Sequence, residues 1–186
     1  MINVAVMNSK GGVGKTTLVD QLAFIFRDGG LEVQVIDLDP QQSSYFHQLW
    51  PEPEDPDVCI IDTRGTLDKK NSEIIDDASL VVIPTLLDRD SVDQIENIVK
   101  VCEKKGKSYL IVPNSVTLTQ SLDQMKLEEL KERYPHNISK VCIRRGTVVG
   151  QARDLKLSIQ DVNARSNPAL DFYVLADEIA EAVFSS

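Results

Sequence analysis

Eight consecutive residues, Lys10-Gly-Gly-Val-Gly-Lys-Thr-Thr17, gather three glycines, two lysines and two threonines into one short stretch. An apolar run, residues 2–7, precedes them and reads as a buried strand. A helical pattern from about Lys15 to Asp28 follows. A turn of this kind suits a phosphate chain. Its glycines let the backbone point N–H groups at an anion, and the helix that follows adds its positive end. Lys15 is placed for the β- and γ-phosphates, the Thr16 hydroxyl for Mg²⁺, and Thr17 for the α-phosphate. Gly11, Gly12, Val13, Gly14, Lys15, Thr16 and Thr17 are therefore the candidate nucleotide-binding residues. The pattern G-x-x-x-x-G-K-[ST] is met only in its second half, because its first glycine falls on Ser9.

Carboxylates at the ends of two further strand patterns fit the same chemistry. Residues 57–62 (Asp-Val-Cys-Ile-Ile-Asp) end in Asp62, a candidate for the Mg²⁺ shell through water. Residues 32–36 run into Asp37-Leu-Asp39-Pro40. Residues i and i+2 of an extended chain share a face, so one of Asp37 and Asp39 can orient or deprotonate a water while the other holds Mg²⁺. Asn114, just past another strand pattern, is a candidate for reading adenine.

These residues need a scaffold that brings strand ends together. Strand patterns at 2–7, 32–36, 57–62, 79–84, 108–113 and 138–143 alternate with helical ones at 15–28, 71–77, 90–105, 120–134, 147–156 and 168–184, with a short helix or loop at 41–50. Such alternation predicts one α/β domain over residues 1–186, a phosphate-loop NTPase with a mostly parallel twisted sheet covered by helices on both faces. The 186 residues suffice for one such core. Cys59, Cys102 and Cys142 are odd in number and widely spaced, which excludes a disulfide framework or a cysteine metal motif. No apolar run approaches a membrane span and no leader pattern opens the chain, so the expected location is cytoplasmic.

The motifs resemble those of the ParA/MinD ATPases. Lys10–Thr17 is similar to that family's deviant Walker A loop, Val35–Gln41 to its Walker A′ element, Val58–Thr63 to its Walker B strand and Val81–Thr85 to the strand that follows. The resemblance implies ATP and Mg²⁺ as cofactors and an ATP-bound sandwich homodimer, with Lys10 as the signature lysine reaching the partner's nucleotide. It gives Asp39 the part of orienting the attacking water and leaves Asp37 beside Mg²⁺. It makes Lys10, Lys15, Asp39 and Asp37 the catalytic set, and Thr16, Asp37 and Asp62 the metal set. Arg64 departs from the pattern, standing where the family often has proline, and reads either as an interface cation or as a solvated loop residue. No helix-turn-helix segment precedes the loop, which suits the small ParA branch.

The formal net charge is −9, so any nucleic-acid contact must come from a local basic patch. Residues 139–156 hold five bases, Lys140, Arg144, Arg145, Arg153 and Lys156, against one acid. In ParA relatives this region binds nonspecific DNA, which implies a nucleoid-associated ATP state released by a ParB-like adaptor that stimulates hydrolysis. The last segment, Asp171–Phe184, carries four acids and no base, which disfavours the membrane helix of MinD-like spatial regulators. The competing class is a metabolic phosphate-loop enzyme, a dethiobiotin-synthetase-like ligase or kinase, which has no need of Lys10.

Overall fold

The computed structural model describes residues 1–39, 41, 43–65 and 69–184, with backbone alone for 69–71. Among these, six strands form one sheet: β1 (Ile2–Val6), β2 (Val33–Asp37), β3 (Val58–Asp62), β4 (Leu80–Thr85), β5 (Tyr109–Val116) and β6 (Ile143–Arg144). Their order is β2-β3-β1-β4-β5-β6, and every pairing is parallel. The helices are α1 (Lys15–Asp28), α2 (Tyr45–Leu49), α3 (Lys69–Asp77), α4 (Arg89–Lys105), α5 (Ser121–Arg133), α6 (Thr147–Leu155), α7 (Ile159–Asn163) and α8 (Asn167–Phe184).

A parallel strand is buried on both faces, and its two-residue period deals alternate side chains to opposite layers. In β1, Val4 and Val6 join Leu18, Leu22, Phe46 and Phe172 under α1, α2 and α8. Ala5 and Met7 join Ile75, Ile95 and Leu127 under α3, α4 and α5. The carboxyl ends of the central strands β1, β3 and β4 therefore open together on one edge of the sheet, where ligands of open α/β folds bind.

The C-terminal third differs from the sequence expectation. A strand over 138–143 reduces to a bridge between Ile138 and Ile111 and the two residues of β6. Once the Ser139 N–H has donated to Ile111 O of β5, the chain turns to α8 for its next polar contacts. Ser139 Oγ donates to Glu178 at 2.5 Å, and the Lys140 N–H donates to the same carboxylate at 3.1 Å. Strand β5 correspondingly runs on through Asn114 to Val116 with a register shift, and Ser115 takes a left-handed φ of 57°. Helix α7, capped by Ser158, was not foreseen, since five residues carry too little periodicity to reveal a helix.

Candidate nucleotide site

The loop after β1 is tied down on both sides. Asn8 is buried; its Nδ2 donates to Pro84 O at 2.8 Å, and its Oδ1 accepts from the Lys10 N–H at 2.8 Å. Gly12 and Gly14 stand at φ 76° and 92°, conformations that a side chain makes costly. Gly14 caps α1 with no side-chain hydrogen bond, so the first-turn N–H groups remain available to an anion. Lys15 is buried, and it borders a cleft of about 500 Å³ with Gly11, Thr16, Thr17, Asp39 and Arg153. Gly65, which sequence reasoning passed over, closes on the loop. A Cβ there would lie 3.2 Å from Ser9 O and 4.0 Å from Lys15 Nζ.

Asp62 is fully buried beneath the cleft and accepts from Thr16 Oγ1 on Oδ2 at 2.6 Å. Burial pushes its carboxyl up to about 6; the Thr16 hydroxyl opposes this, and Asp37 adds to it. Among the described residues its Oδ1 has no hydrogen-bond partner. A buried carboxylate with one spare oxygen, next to a threonine hydroxyl, fits Mg²⁺, which takes one or two protein oxygens and leaves its other positions to phosphates and water. Among the described residues no cluster of three or more His, Cys, Asp or Glu could hold a metal ion.

Asp37 pairs in register with Asp62 across β2 and β3. Its two oxygens accept the N–H groups of Asp39 at 3.0 Å and Ser44 at 2.9 Å, so in this conformation Asp37 folds the loop between β2 and α2. Asp39 lines the cleft and accepts from the Gln41 N–H at 2.9 Å; Pro40, between them, lies outside the described residues. Arg64 Nε donates to Leu38 O at 3.0 Å, bracing the same loop from β3. Asp20, on α1, was also missed. It is buried, accepts from Ser44 Oγ and the Phe46 N–H, and is pushed up to about 7 by burial.

Lys10 points away from the cleft, to Asp88 at 2.6 Å. Asp88 also caps α4 through the Ser91 N–H and hydroxyl. Burial raises the Asp88 carboxyl, but its bonds to Lys10 and Ser91 outweigh this and hold it at about 2. Asn114 does not face the cleft. Its Nδ2 donates to Val13 O at 2.7 Å, its Oδ1 accepts from the Ser115 N–H, and a Cβ on Gly14 would lie 2.2 Å from it. The amide buttresses the loop.

The basic island is dispersed. Arg144 makes a bidentate ion pair with the buried carboxylate of Asp171 on α8, with Nη2–Oδ1 at 2.6 Å and Nε–Oδ2 at 2.9 Å. That geometry corrects its reading as a DNA contact: the guanidinium pins β6 to α8. Lys140 pairs with Glu181 at 3.2 Å, and Arg145 Nε donates to Ser115 Oγ at 3.2 Å. Lys156 Nζ donates to Gln48 Oε1 at 3.3 Å, while Arg153 borders the cleft.

A family model described as the CobQ/CobB/MinD/ParA nucleotide binding domain matches residues 4–169. The chain belongs to this family. A curated relative, the uncharacterized protein MJECL24 of Methanocaldococcus jannaschii, is 30% identical over 135 residues, which is 63% of this chain. The match covers 52% of the relative, so the chain spans about half its length. Solved structures of the same fold superimpose over nearly the whole chain. Apo McdA of Cyanothece has a TM-score of 0.80 at 17% identity, covering 96% of this chain and 98% of its own. MinD in the MinC:MinD cell division complex of Aquifex aeolicus has a TM-score of 0.78 at 12% identity, covering 96% and 95%. Cobyrinic acid a,c-diamide synthase of Mycobacterium smegmatis, with ADP and magnesium bound, has a TM-score of 0.72 at 17% identity, covering 97% and 94%. Among the described residues no helix is long and apolar enough to cross a membrane.

Proposed function

We propose that this chain is a small ParA-type ATPase. It binds ATP and Mg²⁺, forms a sandwich homodimer, binds nonspecific DNA in that state, and is released when a ParB-like adaptor stimulates hydrolysis. The observation that carries this reading is the division of labour between two lysines of one loop. Lys15 is buried at the cleft, while Lys10 lies outside it on a half-exposed pair with Asp88. A lysine so placed serves no phosphate of its own chain, and it suits a nucleotide held by a second copy. Its bond to Asp88 is exchanged on dimerisation for a phosphate, at small cost because exposed pairs contribute little.

In the dimer, Lys15 and the α1 N–H groups hold the β- and γ-phosphates, and Lys10 from the other copy adds charge as the leaving group departs. Thr16 and Asp62 hold Mg²⁺, with Asp37 behind them; when bound, the ion supplies charge neutralisation on the phosphates. Asp39, at the cleft and held by the Gln41 N–H, orients the attacking water. Lys140, Arg145 and Lys156 are the cations offered to DNA, doubled by dimerisation.

The likeness to cobyrinic acid a,c-diamide synthase supports a second reading, a metabolic ligase of the same fold. Binding to a random duplex with ATP, with ADP and without nucleotide, across a salt series, separates the two. Binding with ATP alone, falling steeply with salt, is the expected result. ATP binding with no DNA binding in any state overturns the DNA half and favours the ligase.

A further inference from the structure

Arg153 was singled out for its place in the basic island, but its surroundings belong to the nucleotide cleft. It borders the same cavity as Thr17, Asp20 and Tyr45. The inner end of that cavity, at Lys15 and Thr16, suits the β- and γ-phosphates. A nucleotide continuing outward passes Thr17 and then meets this group. Asp20 is already engaged: its Oδ1 accepts from Ser44 Oγ and the Phe46 N–H, and its Oδ2 from the Tyr45 N–H. The Tyr45 hydroxyl is spent too, accepting from Gln21 Nε2 at 2.5 Å and donating to Leu157 O at 3.1 Å. Burial and the Asp20 charge push that hydroxyl's pKa up, and the nearby Arg153 guanidinium opposes them.

The wall that carries Arg153 is fixed. The C-terminal end of α6 is stitched to α1 and α2 by the Tyr45–Leu157 bond, by Ile159 N–H donating to Gln21 Oε1 at 2.7 Å, and by Lys156 reaching Gln48. Among the described residues the ion pair of Arg153 is a 3.8 Å contact with its neighbour Asp154, both largely exposed, which holds the guanidinium weakly. A planar guanidinium so weakly held is the side chain best shaped for two oxygens of one phosphate.

We propose that Arg153 is a nucleotide ligand, binding the α-phosphate of the bound nucleoside di- or triphosphate from the α6 wall of the cleft. This rests on the nucleotide reading above. It adds that nucleotide occupancy is felt directly by α6, the helix that ends beside Lys156.

The test is calorimetric titration of the full chain, in magnesium buffer, with ADP, with a non-hydrolysable ATP analogue and with pyrophosphate, using wild type, Arg153→Ala and Arg153→Lys. A charge-assisted contact predicts about tenfold weaker ADP and ATP-analogue binding for the alanine variant. Lysine should recover part of the loss, since it keeps the charge without the fork. Pyrophosphate, which fills the Lys15–Thr16 end, should bind all three within about twofold. Unchanged ADP affinity in Arg153→Ala, with weakened duplex binding, overturns the proposal in favour of a DNA contact. An equal loss for pyrophosphate overturns the α-phosphate assignment. Failure of wild type to bind any of the three ligands overturns the nucleotide reading itself.

Discussion

The phosphate loop and the basic island are both contiguous in sequence, and folding treats them in opposite ways. Residues 11–17 stay together at one cleft, because a tight turn and a helix start are local structures. Residues 139–156 come apart. Arg144 goes into an ion pair with α8, Lys140 onto Glu181, Arg145 against β5 and Arg153 into the cleft. A motif whose function lies in the backbone survives folding as a unit. A run of charge does not, because each side chain takes the partner its own face offers.

The largest effect that would sharpen this contrast lies in the loop. Lys15→Ala should weaken ATP binding on the order of 100-fold while leaving the fold intact, measured by titration calorimetry alongside circular dichroism. Next comes the split within the island. Arg144→Ala leaves the Asp171 carboxylate buried without its guanidinium and should lower unfolding free energy by about 2–3 kcal/mol in urea titration. Arg145→Ala should stay within about 0.5 kcal/mol of wild type, while reducing the salt slope of duplex binding by about 1. If the two variants behave alike in both assays, the island is one surface after all.

A pH effect follows in size. Asp20 and Asp62 are held by burial at about 7 and about 6 in the fold, against 3.8 for an ordinary aspartate. Groups raised in the fold favour it while protonated. Their contribution is therefore complete below about 4 and is lost as pH climbs through 6 to 7. Urea midpoints measured from pH 4 to pH 8 should fall over that span. Asp88, held at about 2, has the opposite sign: its contribution is complete above about 4 and is lost only as pH falls toward 2. The smallest effect concerns Asn114→Ala, which removes the brace on Val13 O and should cost about 1 kcal/mol, with a few-fold loss in nucleotide affinity.

How much was legible follows from the same distinction. The strand-loop-helix unit, Asp62 behind Thr16 and the alternation of elements follow from residue types at fixed spacing. What escaped depends on packing between distant segments. Asn114 looked like a base reader because it ends a strand pattern, but its amide meets a backbone carbonyl 101 positions earlier in the chain. Asp88 caps α4 and meets Lys10 78 positions earlier in the chain, and nothing local pointed to that pair. Gly65 meets the phosphate loop, and Asp20 meets the start of α2, only through contacts between distant segments. The expected strand over 138–143 lost most of its length to the carboxylate of Glu178, on a helix some 40 residues on.

The central claim is that Lys10 serves a second copy's nucleotide. Sedimentation of the chain with ADP, and with a non-hydrolysable ATP analogue, tests it most directly, with Lys10→Ala run in parallel. The account predicts a mass that doubles with the analogue but not with ADP, and a Lys10→Ala variant that binds the analogue as a monomer. A wild-type chain that stays monomeric with the analogue bound, or a dimer indifferent to Lys10→Ala, would contradict it.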